Sequence, residues 1–182
     1  AAPDPSNILV AASGKTIYYT IDGGSVWTSK VVGTTGNHYS VFYLNSTTAF
    51  SAGSTGRIYK TADNGVNWPT SGSASGTINS IWLSTSDIGW AVGYRDSSGI
   101  NVGEILKTTN GGMNWNLVPD FYTVTLQSVR FFDANNGIIV GNNGVIYKTT
   151  DGGNTWTTSA QVTANTLMSA ALIDGSTTLV AG

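Results

Sequence analysis

The chain has 182 residues, 8 Lys and Arg against 10 Asp and Glu, a formal net charge of −2 and no Cys, which excludes disulfides and thiolate metal sites. Charged residues make up only 10%, against roughly 25% in an average soluble protein, and there is no basic stripe to neutralise phosphates, so nucleic acid is excluded as a partner. No apolar run reaches the ~18 residues of a membrane span.

Solubility then rests on Ser, Thr, Asn and Gly. Such a low-charge surface opposes association only weakly and is common in exported proteins, so the expected location is extracellular or at the cell surface. Residues 1–5 lack an initiator Met and the layout of a signal peptide. They read as a mature end left by export processing or as a cloning boundary.

In chain order, residues 7–12 and 16–20 are β-prone runs, followed by a turn at Asp22 and Gly24 and by Trp27. Residues 40–44, 49–52 and 57–60 repeat that layout and lead to Asp63, Gly65 and Trp68. Residues 80–83, 89–92 and 104–107 precede Asn110, Gly112 and Trp115. Residues 128–132, 138–140 and 145–149 precede Asp151, Gly153 and Trp156, and 169–173 and 178–181 are two last strand-like runs. A weaker strand follows each Trp, and no helical periodicity occurs. Four short strands in a unit of about forty residues describe a propeller blade. The units run approximately 7–39, 40–79, 80–127, 128–168 and a partial 169–182.

The shared pattern T-x-[DN]-[GN]-G-x-x-W has a plain mechanism. The Asp or Asn side-chain oxygen accepts backbone N–H groups of its own turn. The Gly two positions on supplies φ > 0, and the Trp covers the hairpin. One carboxylate per turn is too few for Ca²⁺, and a lone His38 without Cys makes no metal site. No metal or cofactor is expected.

This pattern resembles the Asp-box (BNR) repeat of sialidases, sortilin-type receptors and xyloglucanases. The closer resemblance is to photosystem II stability/assembly factor-like propellers. Their repeat is matched by Phe132-Asp133, Gly137-Ile-Ile-Val140-Gly141, Gly144-Val-Ile146 and Thr149-Thr-Asp151-Gly-Gly153-Asn-Thr-Trp156, and by Asp87-Ile-Gly89-Trp90-Ala-Val92-Gly93 in the third unit. The resemblance implies an all-β propeller of four-stranded Asp-box blades, four repeats plus a partial fifth. Relatives of this kind usually have more blades, so the ring either closes on itself or is completed between subunits.

The ends carry that question. The first unit lacks a first strand, and residues 169–173 could fill the vacancy. Residues 178–181 would then duplicate 8–11, so they lie on an edge or pair with another chain. Ile8, Leu9, Val10, Leu179 and Val180 are therefore the candidate assembly residues.

The third unit holds one insertion, Tyr94 to Val102, expected as a loop on the face of the blade-to-blade crossings. It would place Tyr94, Arg95 and Asp96 near Asp120, Phe121 and Tyr122, on the face of His38 and Tyr39. A loop cluster of that kind suits a protein or sugar ligand. Arg57, Arg95 and Arg130 are not expected to converge, and Glu104 is expected at the surface. Asp96 and Asp120 form the one loop pair that could serve glycoside cleavage. Asn45-Ser-Thr47 matches a glycosylation acceptor.

These observations predict a non-enzymatic exported scaffold that binds other protein chains, copies of itself among them, and that assembles head to tail through terminal strand exchange into filaments. A carbohydrate-binding or glycoside-hydrolase-like module and an assembly chaperone are the rivals.

Overall fold

The computed structural model describes residues 4–119, 123–172 and 177–182. They form five antiparallel sheets with no α-helix, the expected all-β propeller architecture. The first sheet is β1 (Ile8–Ala11), β2 (Thr16–Thr20) and β3 (Thr28–Val31). The second is β4 (His38–Tyr43), β5 (Ala49–Gly53), β6 (Arg57–Thr61) and β7 (Thr70–Ser73). The third is β8 (Thr77–Leu83), β9 (Gly89–Ser97), β10 (Ile100–Thr108) and β11 (Asn116–Leu117). The fourth is β12 (Leu126–Phe131), β13 (Gly137–Gly141), β14 (Ile146–Thr149) and β15 (Thr157–Thr158), and the last is the pair β16 (Ser169–Leu172) and β17 (Thr178–Ala181). Each sheet is a meander in sequence order.

Local polar side chains set the turns. Between first and second strands, Asn45 Oδ1 accepts the N–H groups of Thr47 (3.0 Å) and Thr48 (2.9 Å), and Asp133 Oδ1 accepts those of Asn135 and Asn136 (both 2.7 Å). Asp4 makes the same turn ahead of β1, with Ser6 at 2.8 Å and Asn7 at 2.9 Å. These are Asx turns, in which a short side chain replaces a backbone acceptor.

The inner strands β4, β8, β12 and β16 lie side by side, and β1 lies against β4. The core is accordingly divided into layers between sheets. Leu9 and Ile17 pack with Tyr43, Ala49 and Tyr59; Phe50 packs with Ile78, Ile81, Ala91 and Leu106. Trp90 packs with Val129, Phe131 and Ile139; Ile138 packs with Leu167, Ala170 and Val180. In each layer a second-strand residue (Leu9, Phe50, Trp90, Ile138) reaches the next sheet and is no more than 2% exposed.

Of the run expected over residues 169–173, the described part, Ser169–Leu172, does not fill the vacancy beside β1. Among described residues β16 pairs with β17, Ser169 opposite Ala181, and forms a half-sheet of its own. The apolar layer with Ile138, Val140, Ile146 and Leu167 holds β16 on the fourth sheet instead. Among described strands β17 is an edge, as is β1. Leu9 and Val180 are drawn into core layers, whereas Val10 is 43% and Leu179 60% exposed.

Candidate functional site

The repeated turn is organised around its Thr as much as its Asp. Thr61 Oγ1 donates to Asp63 Oδ1 (2.8 Å) and accepts the N–H of Gly65 (2.9 Å). Asp63 Oδ1 in turn accepts the N–H of Asn67 (2.9 Å). Thr20, Thr108 and Thr149 repeat this around Asp22, Asn110 and Asp151. All four Thr are buried. A further bond ties each turn to the preceding first-to-second-strand turn of its own unit: Gly23 to Ser6 O, Asn64 to Thr47 O, Gly111 to Asp87 O and Gly152 to Asn135 O. The motif thus ties two turns of each unit together on one face of the molecule. Its Trp side chains are less buried than the sequence suggests. Trp68, Trp115 and Trp156 are half-buried, each packed against the edge of a layer, and Trp27 is 44% exposed.

On the opposite face the second-to-third-strand turns meet the crossings. The N–H of Asn37 bonds Ser54 Oγ (2.8 Å), and that of Ala74 bonds Gly56 O (2.8 Å). The insertion in the third unit is not a loop. It lengthens β9 and β10 to nine residues each, closed by Ser98 (φ 59°) and Gly99 (φ 82°). Two successive residues at φ > 0 are the signature of a type I′ hairpin. Asp96 Oδ1 caps that turn through the N–H of Gly99 (3.0 Å).

Arg95 and Pro119 line one cleft of about 210 Å³, whereas Asp120, Phe121 and Tyr122 lie outside the described residues, as does any Asp96–Asp120 pair. Tyr94 lies on β9 with the backbone of Gly76 against it. Glu104 is not at the surface. It is 3% exposed, paired with Arg95 (Nε–Oε1 3.3 Å) and accepting the N–H of Ser75 (3.2 Å). The insertion explains this, since lengthened β9 brings Arg95 over it.

His38 is a packed, neutral residue. Its Nε2 donates to Val32 O (3.1 Å) and Ser51 Oγ donates to its Nδ1 (2.7 Å), and burial pushes its pKa below the ordinary value. Its neighbour Tyr39 is 49% exposed at the mouth of a central depression of about 500 Å³, shared with Asn79, Gln127 and Met168. These four residues hold the same position, one before the Ser that opens each inner strand. At Tyr39, Asn79 and Gln127 the strand is bulged, which re-aims a side chain out of the pleat. The opening Ser is a clamp between sheets: Ser40 Oγ accepts the N–H of Ile81 (3.1 Å) and Ser80 Oγ that of Val129 (3.3 Å).

Two residues past that Ser lie Phe42, Trp82 and Arg130. The Phe42 and Trp82 rings are 5.0 Å apart, and the Arg130 guanidinium sits 5.2 Å from the Trp82 centroid. Together with Ser40, Tyr43 and Ile81 they enclose about 350 Å³. Arg57, exposed at the head of β6, and Arg95 lie elsewhere. The sequence reading missed this row. Its signal was the fixed offset from the opening Ser, on strands that a propeller places innermost.

No group of three or more metal-binding side chains occurs among the described residues. No helix is long and apolar enough to cross a membrane.

No family model matches the chain. It is weakly homologous to the photosystem II stability/assembly factor HCF136, chloroplastic, of Oryza sativa subsp. japonica, with 37% identity over 70 residues. The match takes in 37% of this chain and 15% of that protein, so the chain spans a small part of its curated relative. Among solved structures, the WD40 β-propeller domain of Doa1 aligns with a TM-score of 0.71 at 15% identity, over 98% of this chain and 59% of that one. An ancestral GH74 enzyme aligns with a TM-score of 0.70 at 20% identity, over 87% of this chain and 23% of that one. These likenesses show the propeller fold.

Proposed function

We propose that this chain is a non-catalytic exported scaffold that binds other protein chains, and that its first partner is a second copy of itself, joined end to end. One observation carries the reading: the two end sheets expose positions that the internal layers cover, wholly or in part. Leu179 occupies the position of Leu9, Phe50, Trp90 and Ile138, yet it is 60% exposed against 2% or less. At the other end Tyr18 holds the position of Tyr59 and Leu106 and is 42% exposed against 5% and 3%. Leu179 of one copy against Val10 and Tyr18 of the next repeats a contact the chain already makes between its own sheets. A head-to-tail contact that does not close produces filaments.

The non-catalytic part is supported by the engagement of the acidic side chains, Glu104 by Arg95 and Ser75 and Asp96 by its own turn. Glycoside cleavage, the activity class of the GH74 neighbour, needs two carboxylates facing a sugar. The assembly role in the rice relative's name agrees with a protein-binding scaffold. Export is supported by the low charge of the surface, 10% charged residues in all.

Light scattering and electron microscopy over rising concentration test the reading. The full chain should form end-to-end polymers, and Leu179→Lys or Tyr18→Lys should give monomers with an unchanged circular dichroism spectrum. A wild-type chain that stays monomeric at millimolar concentration overturns it.

A further inference from the structure

We propose that the inner-strand pocket formed by Phe42, Trp82 and Arg130 is a binding site for a carboxylate carried on a flat or apolar body. The three side chains come from equivalent positions of three successive inner strands, opposite Phe50, Trp90 and Ile138, so they form a continuous row along the inner strands. Arg130 Nη1 donates to Ser80 Oγ (3.1 Å) and to Val129 O (2.7 Å). Its Nη2 and Nε have no hydrogen-bond partner among the described residues, and no described carboxylate pairs with it.

A guanidinium stays protonated in a protein, and burying part of it without a counter-charge costs free energy, although its open edge still faces the pocket. Burial accordingly pushes the pKa of Arg130 down. Stacking on Trp82 offsets part of that cost. The open Nη2–Nε edge is the fork that accepts a carboxylate through two parallel hydrogen bonds. A single cation matches one negative charge, whereas a phosphate dianion or a polyanion calls for several. Phe42 and Trp82 supply planar walls for the body of the ligand. The volume of about 350 Å³ holds one residue of a peptide or one small organic acid, at the lower end of ligand-pocket sizes. The site is distinct from the end faces that carry self-association.

The probe is benzoate, with benzamide as the neutral isostere, followed by the indole and arginine Nε–H signals in ¹⁵N NMR. Benzoate should shift the Trp82 and Arg130 signals saturably and benzamide should not. Arg130→Gln should weaken benzoate binding at least tenfold. Arg130→Lys, which keeps the charge but not the fork, should weaken it by several-fold and serves if the Gln variant does not fold. Equal binding of benzamide, shifts located away from Trp82 and Arg130, or full binding by both variants overturns the proposal. Acetyl-Gly-Phe with a free or an amidated C-terminus then distinguishes the source. Preference for the free acid identifies a peptide terminus, and binding of benzoate alone identifies a small acid.

Discussion

Lys107 on β10 reaches across to the next sheet, where its Nζ donates to the carbonyl of Gly152 at 2.9 Å. The same ammonium lies 5.4 Å from the Trp90 ring and bonds Asn154 Oδ1 at 3.0 Å. Lys60 does likewise one unit earlier, with Gly111 O at 2.7 Å and the Phe50 ring at 5.5 Å. One side chain thus fixes the angle between consecutive sheets. Lys107→Met should cost about 1–2 kcal/mol, at and just below the lower end of the ~1.5–3 kcal/mol of a charge-assisted hydrogen bond because the site is only part-buried. Lys148, at the same position of the fourth unit, is exposed, and Lys148→Met should stay within about 0.5 kcal/mol. Urea unfolding of both variants measures the difference, and equal losses would remove the clamp from the account.

The buried Thr of the turn should be as sensitive. Thr108→Val keeps the shape but leaves the N–H of Gly112 without its acceptor. An orphaned buried donor costs about 1–3 kcal/mol. Thr108→Ser should recover most of the loss, because the hydroxyl returns. Failure of Ser to recover more than Val would assign the effect to packing.

Acid should loosen the molecule through these same turns. The Thr155 hydroxyl and N–H, with the Thr149 hydroxyl, hold Asp151 down to about 2, below its ordinary 3.8. Asp22 is lowered chiefly by the Thr20 hydroxyl and Asp63 chiefly by the N–H of Asn67. A depressed folded-state pKa adds stability above the unfolded value, and that stability disappears as pH falls through the folded one. The melting temperature should therefore hold from neutral pH to about 5 and fall between about 4 and 2. Asn110 accepts the N–H of Asn114 (2.9 Å) without any charge. Replacing Asp22, Asp63 and Asp151 by Asn should flatten the acid limb, leaving the part due to Asp4 and Asp133. Parallel acid limbs in the variant and the wild type would show that the turns do not control it.

Trp90, outside the repeated motif, is fully buried and stacks on Phe131 at 3.8 Å between ring centroids. A Cβ on Gly153 would meet its Nε1 at 2.5 Å, so a Gly of the neighbouring turn is required there for space as well as for its φ of 69°. Trp90→Ala should cost about 3–5 kcal/mol, as for other large buried aromatics. Trp27→Ala, at a 44% exposed position, should cost about 1 kcal/mol or less. Denaturant titration ranks the two, and the reverse order would refute the layer assignment.

The repeat spacing made the strands and the layout of each sheet legible, because turn chemistry at Asn45, Asp133 and the Thr-Asp motif is local. The destiny of residues 169–173 was not legible. Pairing with the first sheet and pairing with residues 178–181 satisfy the same alternation, and only the contacts of Ala170 with the fourth sheet decide between them. Glu104 was misplaced for a related reason. Its charge is matched by Arg95, nine positions away and brought diagonally across from it by the longer hairpin. The Phe42, Trp82 and Arg130 row was hidden because three unlike residue types share one position, and similarity of position leaves no trace in composition.

The layered core also orders events during synthesis. Leu9 and Ile17 have no complete environment until Tyr43, Ala49 and Tyr59 follow them out of the ribosome. Phe50 likewise awaits Ile78, Ala91 and Leu106. Each unit is thus left waiting for the one behind it, so we infer that a sheet consolidates only after its successor has been made, one unit behind elongation.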